Sequence, residues 1–189
     1  MRFVGQSLLV GVVAVAGAGA ASETDAARFG DAGVASTSVS ASTTVAPSRL
    51  ASAIAAVRLA GRQVRGGRPY DVEDERFRGR IVWEVEVAAG TQRPHVFLVS
   101  ANGKQVVRRA LARRLGDDAR RVLRARVTLA QALRIAGRRA SGRFSEAEID
   151  DARGGAIVWE ASFNRPGNVE TEVVVDARTG RVLRVTTDD

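Results

Sequence analysis

The chain has no cysteine, one histidine and one lysine among its 189 residues, and aromatic side chains make up only 5% of it. Without cysteine there is no disulfide, no thiolate zinc site and no cysteine nucleophile. A single histidine, His95, excludes a His-rich metal centre. A serine hydrolase would need His95 as base beside Ser100 or another serine, yet no G-x-S-x-G elbow is present to place one. What the chain does have is a hydrophobic fraction of 45%, enough for one or two globular domains, and a net charge of +8 carried almost wholly by arginine.

The N-terminus reads as an address rather than a fold. Arg2 precedes an apolar run from Leu8 to Ala16, and Ala18-Gly19-Ala20 offers an A-x-A-like cleavage site, so residues 1–21 are expected to be a secretory signal peptide. The apolar run falls short of the ~20 residues of a membrane span. No cysteine follows it, so a lipoprotein anchor is not available. Residues 22–46 are rich in Ala, Ser and Thr and poor in large side chains. Such a segment buries too little apolar surface to offset its ordering entropy and reads as a flexible leader.

Beyond the leader the sequence repeats itself. Ile81-Val82-Trp83-Glu84 returns as Ile157-Val158-Trp159-Glu160, and Phe97-Leu98-Val99 as Val173-Val174-Val175, both 76 residues later. Leu50, Ala53 and Ile54 pair with Leu129, Ala132 and Leu133 at an offset of 79. Two units, 47–108 and 126–187, are the simplest account. Each is expected to begin with a helix of about three turns, capped by Ser48 or Thr128 and stopped near Gly61 or Gly137. Four strands follow. The first runs from Tyr70 to Phe77 or from Phe144 to Ala152. The second buries Ile81, Trp83, Val85 and Val87, or Ile157, Trp159, Ala161 and Phe163, on one face. Arg78-Gly79 and Gly154-Gly155 supply the turns between them, and glycine turns at Gly103 and Gly180 join the last two strands. The expected class is α+β: two tandem repeats, each a short helix on a small antiparallel sheet. Packed sheets and separate beads both satisfy this pattern, and oligomeric state is left open by it.

The second unit is where a family is recognisable. Thr128 to Leu133, Val158-Trp159-Glu160 and the closing run Glu172 to Leu183 resemble the PepSY domain, found in propeptides of thermolysin-type metallopeptidases and in many small exported bacterial proteins. The first unit has Ser100-Ala101-Asn102-Gly103 where Asp and Thr-Gly are typical, and it is recognised partly through its likeness to the second. The resemblance implies a non-enzymatic module that binds or restrains peptidases or acts in the cell envelope. It supplies no catalytic residue and no cofactor.

Other chemistries were weighed against plain structural readings. Carboxylates cluster at Asp71, Glu73, Asp74 and Glu75 and again at Glu146, Glu148, Asp150 and Asp151, a composition that can hold a hard cation. They lack the glycine-centred spacing of a calcium loop, and a solvated strand face is the expectation. Both tryptophans are expected in the core. His95 is expected at a solvated or edge-strand position. Charge is uneven: −1 over 1–46, +5 over 47–108, +4 over 109–125 and 0 over 126–189. The dense segment, 109–125, reads as an Arg-rich helical connector, one helix or a pair broken at Gly116 with Asp117 and Asp118 capping the second, with a stripe of Leu111, Leu115, Val122 and Leu123. Arg109, Arg113, Arg114, Arg120, Arg121 and Arg124 are its candidate contacts to an anionic partner. The sequence therefore points first to an exported, non-enzymatic module that takes a protein partner, a peptidase or envelope protein, at its sheet edges. The alternative is an electrostatic adaptor that holds anionic lipid or polymer through the connector. Nucleic acid is not expected, since no aromatic-interleaved basic surface is visible.

Overall fold

In the chain's computed structural model, residues 48–188 are described, and the proposed signal peptide and leader lie outside them. The first helix, α1 (Arg49–Arg62), starts where Ser48 Oγ accepts the Ala51 N–H at 3.2 Å. Its small side chains give it a narrow buried face of Ser52, Ala53, Ala56, Val57 and Ala60. The helix α3 (Leu129–Ala136) starts in a capping box between Thr128 and Gln131 and buries Leu129, Ala132, Leu133 and Ala136. Neither helix is long enough to stand alone, so both depend on the sheet beneath them. The buried positions of the two helices coincide at an offset of 76, Ala53 with Leu129 and Ala60 with Ala136. This corrects the offset of 79 read from Leu50, Ala53 and Ile54. The reason is that α1 begins more than a turn earlier than α3, so aligning the caps misaligns the faces.

Eight strands form one antiparallel sheet in the order β4-β3-β2-β1-β5-β6-β7-β8. They are β1 (Arg68–Phe77), β2 (Arg80–Ala88), β3 (His95–Ser100), β4 (Val106–Leu111), β5 (Arg143–Asp151), β6 (Ile157–Arg165), β7 (Val169–Asp176) and β8 (Val182–Asp188). Each half is a meander. Arg78 and Gly79, with φ of 50° and 76°, close the β1–β2 hairpin in a two-residue turn that needs two left-handed residues. The halves meet where Asp71, Val72 and Glu73 pair with Glu148, Ala147 and Glu146. The expectation of a small sheet in each unit is thus replaced by a single continuous sheet.

Helices α1 and α3 touch each other and cover one face. Under them lie Trp83, Val85 and Val99 from the first half and Trp159, Phe163, Val173 and Val175 from the second. Both tryptophans are fully buried. Phe144 ties the halves together, its ring 5.7 Å from that of Trp83 and 5.6 Å from that of Phe163. Arg49 adds a polar clasp at the same place. Its Nε donates to Phe144 O at 3.0 Å, its Nη2 meets Asp74 Oδ2 at 2.5 Å, and its guanidinium lies over the Trp83 ring.

The segment 109–125 is not one helix. Arg109 to Leu111 belong to β4, and only Asp117–Arg124 forms a helix, α2. Arginine, alanine and leucine are good helix formers, and the run Arg108-Arg109-Ala110-Leu111 lacks period-two alternation, so it carried no sign that the sheet continued through it. The supposed apolar stripe is likewise divided. Val122 is buried and Leu115 packs at the edge of the core, while Leu111 and Leu123 are exposed. Helix α2 packs against β1, β2 and β5. The face over β1 and β5 on the other side is already occupied by α1 and α3, and α2 instead accompanies Tyr70 and Ala88, which alternate away from them. Helix α2 lies on the opposite face, where its Asp118 acts on both Tyr70 and Glu148 and where Ala119 and Val122 are buried.

Candidate functional site

Three surfaces of this fold carry chemistry: the two free sheet edges, the face opposite α1 and α3, and the arginines around the helices. At the edges, β4 and β8 each pair on one side only. Both carry a register irregularity at the matching place, between Leu98 and Val99 in one pairing and between Val174 and Val175 in the other. Such a bulge twists an edge and re-aims its side chains. Val107 and Leu111 on β4, and Leu183 and Val185 on β8, stand 40–50% exposed. An edge strand with open backbone groups and uncovered apolar side chains is a template for another chain.

The face opposite α1 and α3 collects what strand alternation sends there. Asp71 and Glu73 on β1 sit beside Glu86 and Glu84 on β2, and beside Glu148 and Glu146 on β5. The pairing of β1 with β5 thus merges two acidic clusters that are 75 residues apart in sequence. Toward β8 the charge is balanced, since Arg184 pairs with Glu172 at 2.6 Å and reaches Glu160 at 4.0 Å. In the centre it is not. Burial, together with a hydrogen bond and repulsion from Glu75, pushes Glu84 up to about 8. Desolvation, then Glu146 and Asp118 of α2, pushes Glu148 up to about 7. Asp71 is held well above the usual carboxylate range by desolvation and by Glu73, Glu86 and Glu148, and Glu73 is raised for the same reasons. The Tyr70 hydroxyl donates to Glu86. Glu146 and Glu148 are exposed and Asp71, Glu73, Glu84 and Glu86 half-buried, so the face is in part the expected solvated one, but these carboxylates also crowd one another across β2, β1 and β5. Among the described residues no group of His, Cys, Asp or Glu has the arrangement of a metal site.

The candidate anionic-partner residues are dispersed. Arg109 lies over the Phe97 ring at 5.5 Å and its Nη2 is 3.3 Å from His95 Nδ1. Arg120 pairs with Asp117 at 3.0 Å, and Arg121 is held between Asp118 and Asp151. Arg113, Arg114 and Arg124 are exposed. Half of the set is therefore already engaged within the protein, and the rest lies on a loop and a helix end. His95 opens β3, a strand covered by β4, so it is not on an edge. Burial, then the neighbouring Arg109, lowers its pKa. Ser100 lies at the far end of the same strand, roughly 16 Å away at the rise of a β-strand, so the two cannot form a nucleophile and base pair.

One feature of the helix layer had no counterpart in the sequence reading. A groove between α1 and α3 gathers Arg58, Arg62 and Arg134. Its sequence signal is nonetheless present, because Arg58 and Arg62 recur as Arg134 and Arg138 at the same offset of 76 that aligns the helices.

With this geometry in view, comparison with known proteins identifies one part of the chain. Residues 126–186 match the family model of the PepSY domain, described as "Peptidase propeptide and YPEB domain". The match begins in the segment just before α3 and runs into β8, so this part of the chain is similar to the PepSY family. PepSY domains are generally regulatory or non-catalytic modules. A crystal structure of a "putative lipoprotein" from Clostridium difficile 630 is similar to the chain at 21% identity, with a TM-score of 0.44, covering 70% of this chain and 90% of that one. No curated protein sequence matches.

Proposed function

We propose that the protein is an exported, non-enzymatic binding module, built from two tandem PepSY-like units, that takes a peptidase or another envelope protein at its sheet edges. The observation that carries this reading is the pair of free edges, β4 and β8, each bulged at the matching position and each with apolar side chains uncovered. The PepSY match over 126–186 supports a protein partner in general terms. The tandem reading draws on the common 76-residue offset of helix faces, tryptophans and bulges. Export rests on the signal-like residues 1–21, and no helix among the described residues is long and apolar enough to cross a membrane. The adaptor reading, in which the connector holds anionic lipid or polymer, draws less support because Arg109, Arg120 and Arg121 already have partners.

The edges can be tested one at a time. Val107→Lys with Leu111→Lys charges β4, and Leu183→Lys with Val185→Lys charges β8, all at exposed positions that leave the core intact. A peptidase or envelope protein captured from envelope extract by the parent chain should be lost with one of these pairs while circular dichroism stays unchanged. Capture that survives both pairs, alone and combined, would remove the edges from the account.

A further inference from the structure

The helix layer holds a second recognition surface that is chemically unlike the edges. Between α1 and α3 runs an open groove of about 590 Å³, floored by Val57, Pro69 and Leu129. It continues past Gln131 and Arg134 into a smaller hollow of about 300 Å³ with Ile135 and Arg138 on its wall. Four guanidinium groups border this path: Arg58 and Arg62 from α1, Arg134 from α3, and Arg138 from the turn that follows it. No carboxylate lines either part, and among the described residues none of the four arginines is in an ion pair.

In α1, Arg58 and Arg62 are four residues apart, a spacing that puts like charges on one face at some cost to the helix. The groove also receives the N-terminal end of α3, where Thr128 to Gln131 line the wall. The capping box takes the Gln131 N–H, while the first N–H groups of a helix have no partner within it and add positive potential. Arg58, Arg62, Arg134 and the start of α3 thus border one apolar floor, and Arg138 its extension, with no carboxylate lining either part.

We propose that this groove binds an acidic peptide segment of a partner protein, with apolar side chains on the Val57, Pro69 and Leu129 floor and carboxylates paired by Arg58, Arg62, Arg134 and Arg138. Guanidinium forks match carboxylates in two-point geometry. An open groove that alternates apolar floor with charged walls suits a peptide better than a polyphosphate, which brings no apolar side chains. It also suits a peptide better than an acyl chain, which would need an enclosed channel. The site is on the opposite side of the molecule from the acidic face and separate from both edges, so it stands or falls independently of them.

The test uses the full chain without residues 1–21 and a fluorescein-labelled peptide, Glu-Leu-Glu-Phe-Glu-Leu, followed by fluorescence anisotropy and by amide chemical shifts. The expected result is binding that weakens with salt, shifts centred on Gly61, Arg62 and Leu129 to Arg134, and at least about a tenfold loss when Arg58, Arg62, Arg134 and Arg138 are all changed to Gln. The Gln-Leu-Gln-Phe-Gln-Leu peptide should bind at least about tenfold more weakly. Near-ultraviolet dichroism of Trp83 and Trp159 shows whether the variant stays folded, and Arg134→Lys gives a milder replacement should it not. Equal loss from changing Arg113, Arg114, Arg120 and Arg121 to Gln would mean charge alone is sensed and would overturn the site. So would absence of peptide binding, or binding to phosphatidylglycerol vesicles that the groove variant abolishes while the peptide does not bind.

Discussion

The two halves of the sheet pair their outer three strands in the same register and with the same bulge, yet they secure their helices differently. In the first half α1 has 14 residues and presses directly on the glycine turn that joins β3 to β4. A Cβ on Gly103 would lie 2.3 Å from Ser52 O and 2.8 Å from Ala55 Cβ. In the second half α3 has 8 residues, and the chain before it does the work instead. Arg126 and Val127 donate to Ala177 O at 2.9 and 2.8 Å, and Val127 O in turn accepts the Trp159 Nε1–H at 3.0 Å. Trp83 donates to its own turn at Ala101 O. A long helix can anchor itself by length, whereas a short one needs its leading segment stitched to the sheet. The second turn compensates locally, with Asp176 Oδ1 accepting from Arg178, Thr179 and the Thr179 hydroxyl, which holds its pKa below the ordinary value.

This contrast can be broken most forcefully at the glycines. Gly103 and Gly180 both have positive φ, 73° and 76°. At Gly180 the nearest atom to a new Cβ is the flexible end of Ile135, 3.2 Å away. Gly103→Ala meets backbone as well as the left-handed penalty and is expected to cost at least about 3 kcal/mol, against about 1 kcal/mol for Gly180→Ala. Urea denaturation of the two variants checks this, and equal costs would show that both turns are supported alike.

The tryptophans give a smaller effect of opposite sense. Replacing either by Phe keeps most of the ring but strands a carbonyl. Val127 O sits in the stitched segment, while Ala101 is exposed. Trp159→Phe should therefore cost about 1 kcal/mol more than Trp83→Phe, since the half-buried Val127 carbonyl is less open to water than that of exposed Ala101.

The junction should set the pH dependence. Glu84 and Glu148, with Asp71 and Glu73, have pKa values raised in the folded chain, so at intermediate pH the folded state holds protons that the unfolded state has released. Their contribution is fully present below the ordinary carboxylate value and is lost as pH rises through about 7 and about 8. The melting temperature should fall from pH 5.5 to pH 8.5, and Glu84→Gln should flatten the fall and raise stability at pH 8.5. A melting temperature that climbs over this range would contradict the crowded-carboxylate reading.

How far the sequence disclosed this arrangement depends on the range of the interaction. Ser48, Thr128, the alternation around Trp83 and Trp159 and the turn at Arg78-Gly79 act within a few residues, and each appears where the pattern put it. The extent of β4 was hidden because arginine and alanine favour helix and the run has no strand alternation, so Arg109 read as part of a connector helix. The offset of 79 arose because the caps are more visible than the buried alanines of α1. The β1–β5 pairing left no trace, since Asp71 and Glu148 are unfavourable neighbours and what favours it is long-range: Val72 with Ala147, the Phe144 ring contacts, and Asp74 with Arg49 and Arg143. The arginine groove was out of reach for the same reason: its walls come from helices brought together by that junction.

The central claim is that this short junction makes the two halves one body, with a single core and two outer edges. Single-tryptophan variants, Trp83→Phe and Trp159→Phe, let each half report its own unfolding in urea. With the variants' own stability differences measured independently by far-ultraviolet dichroism, fluorescence from Trp83 in one and Trp159 in the other should each coincide with the dichroism transition of the same variant. A half that loses its fluorescence signal while the dichroism of the other half persists would show two independent units and would contradict the account.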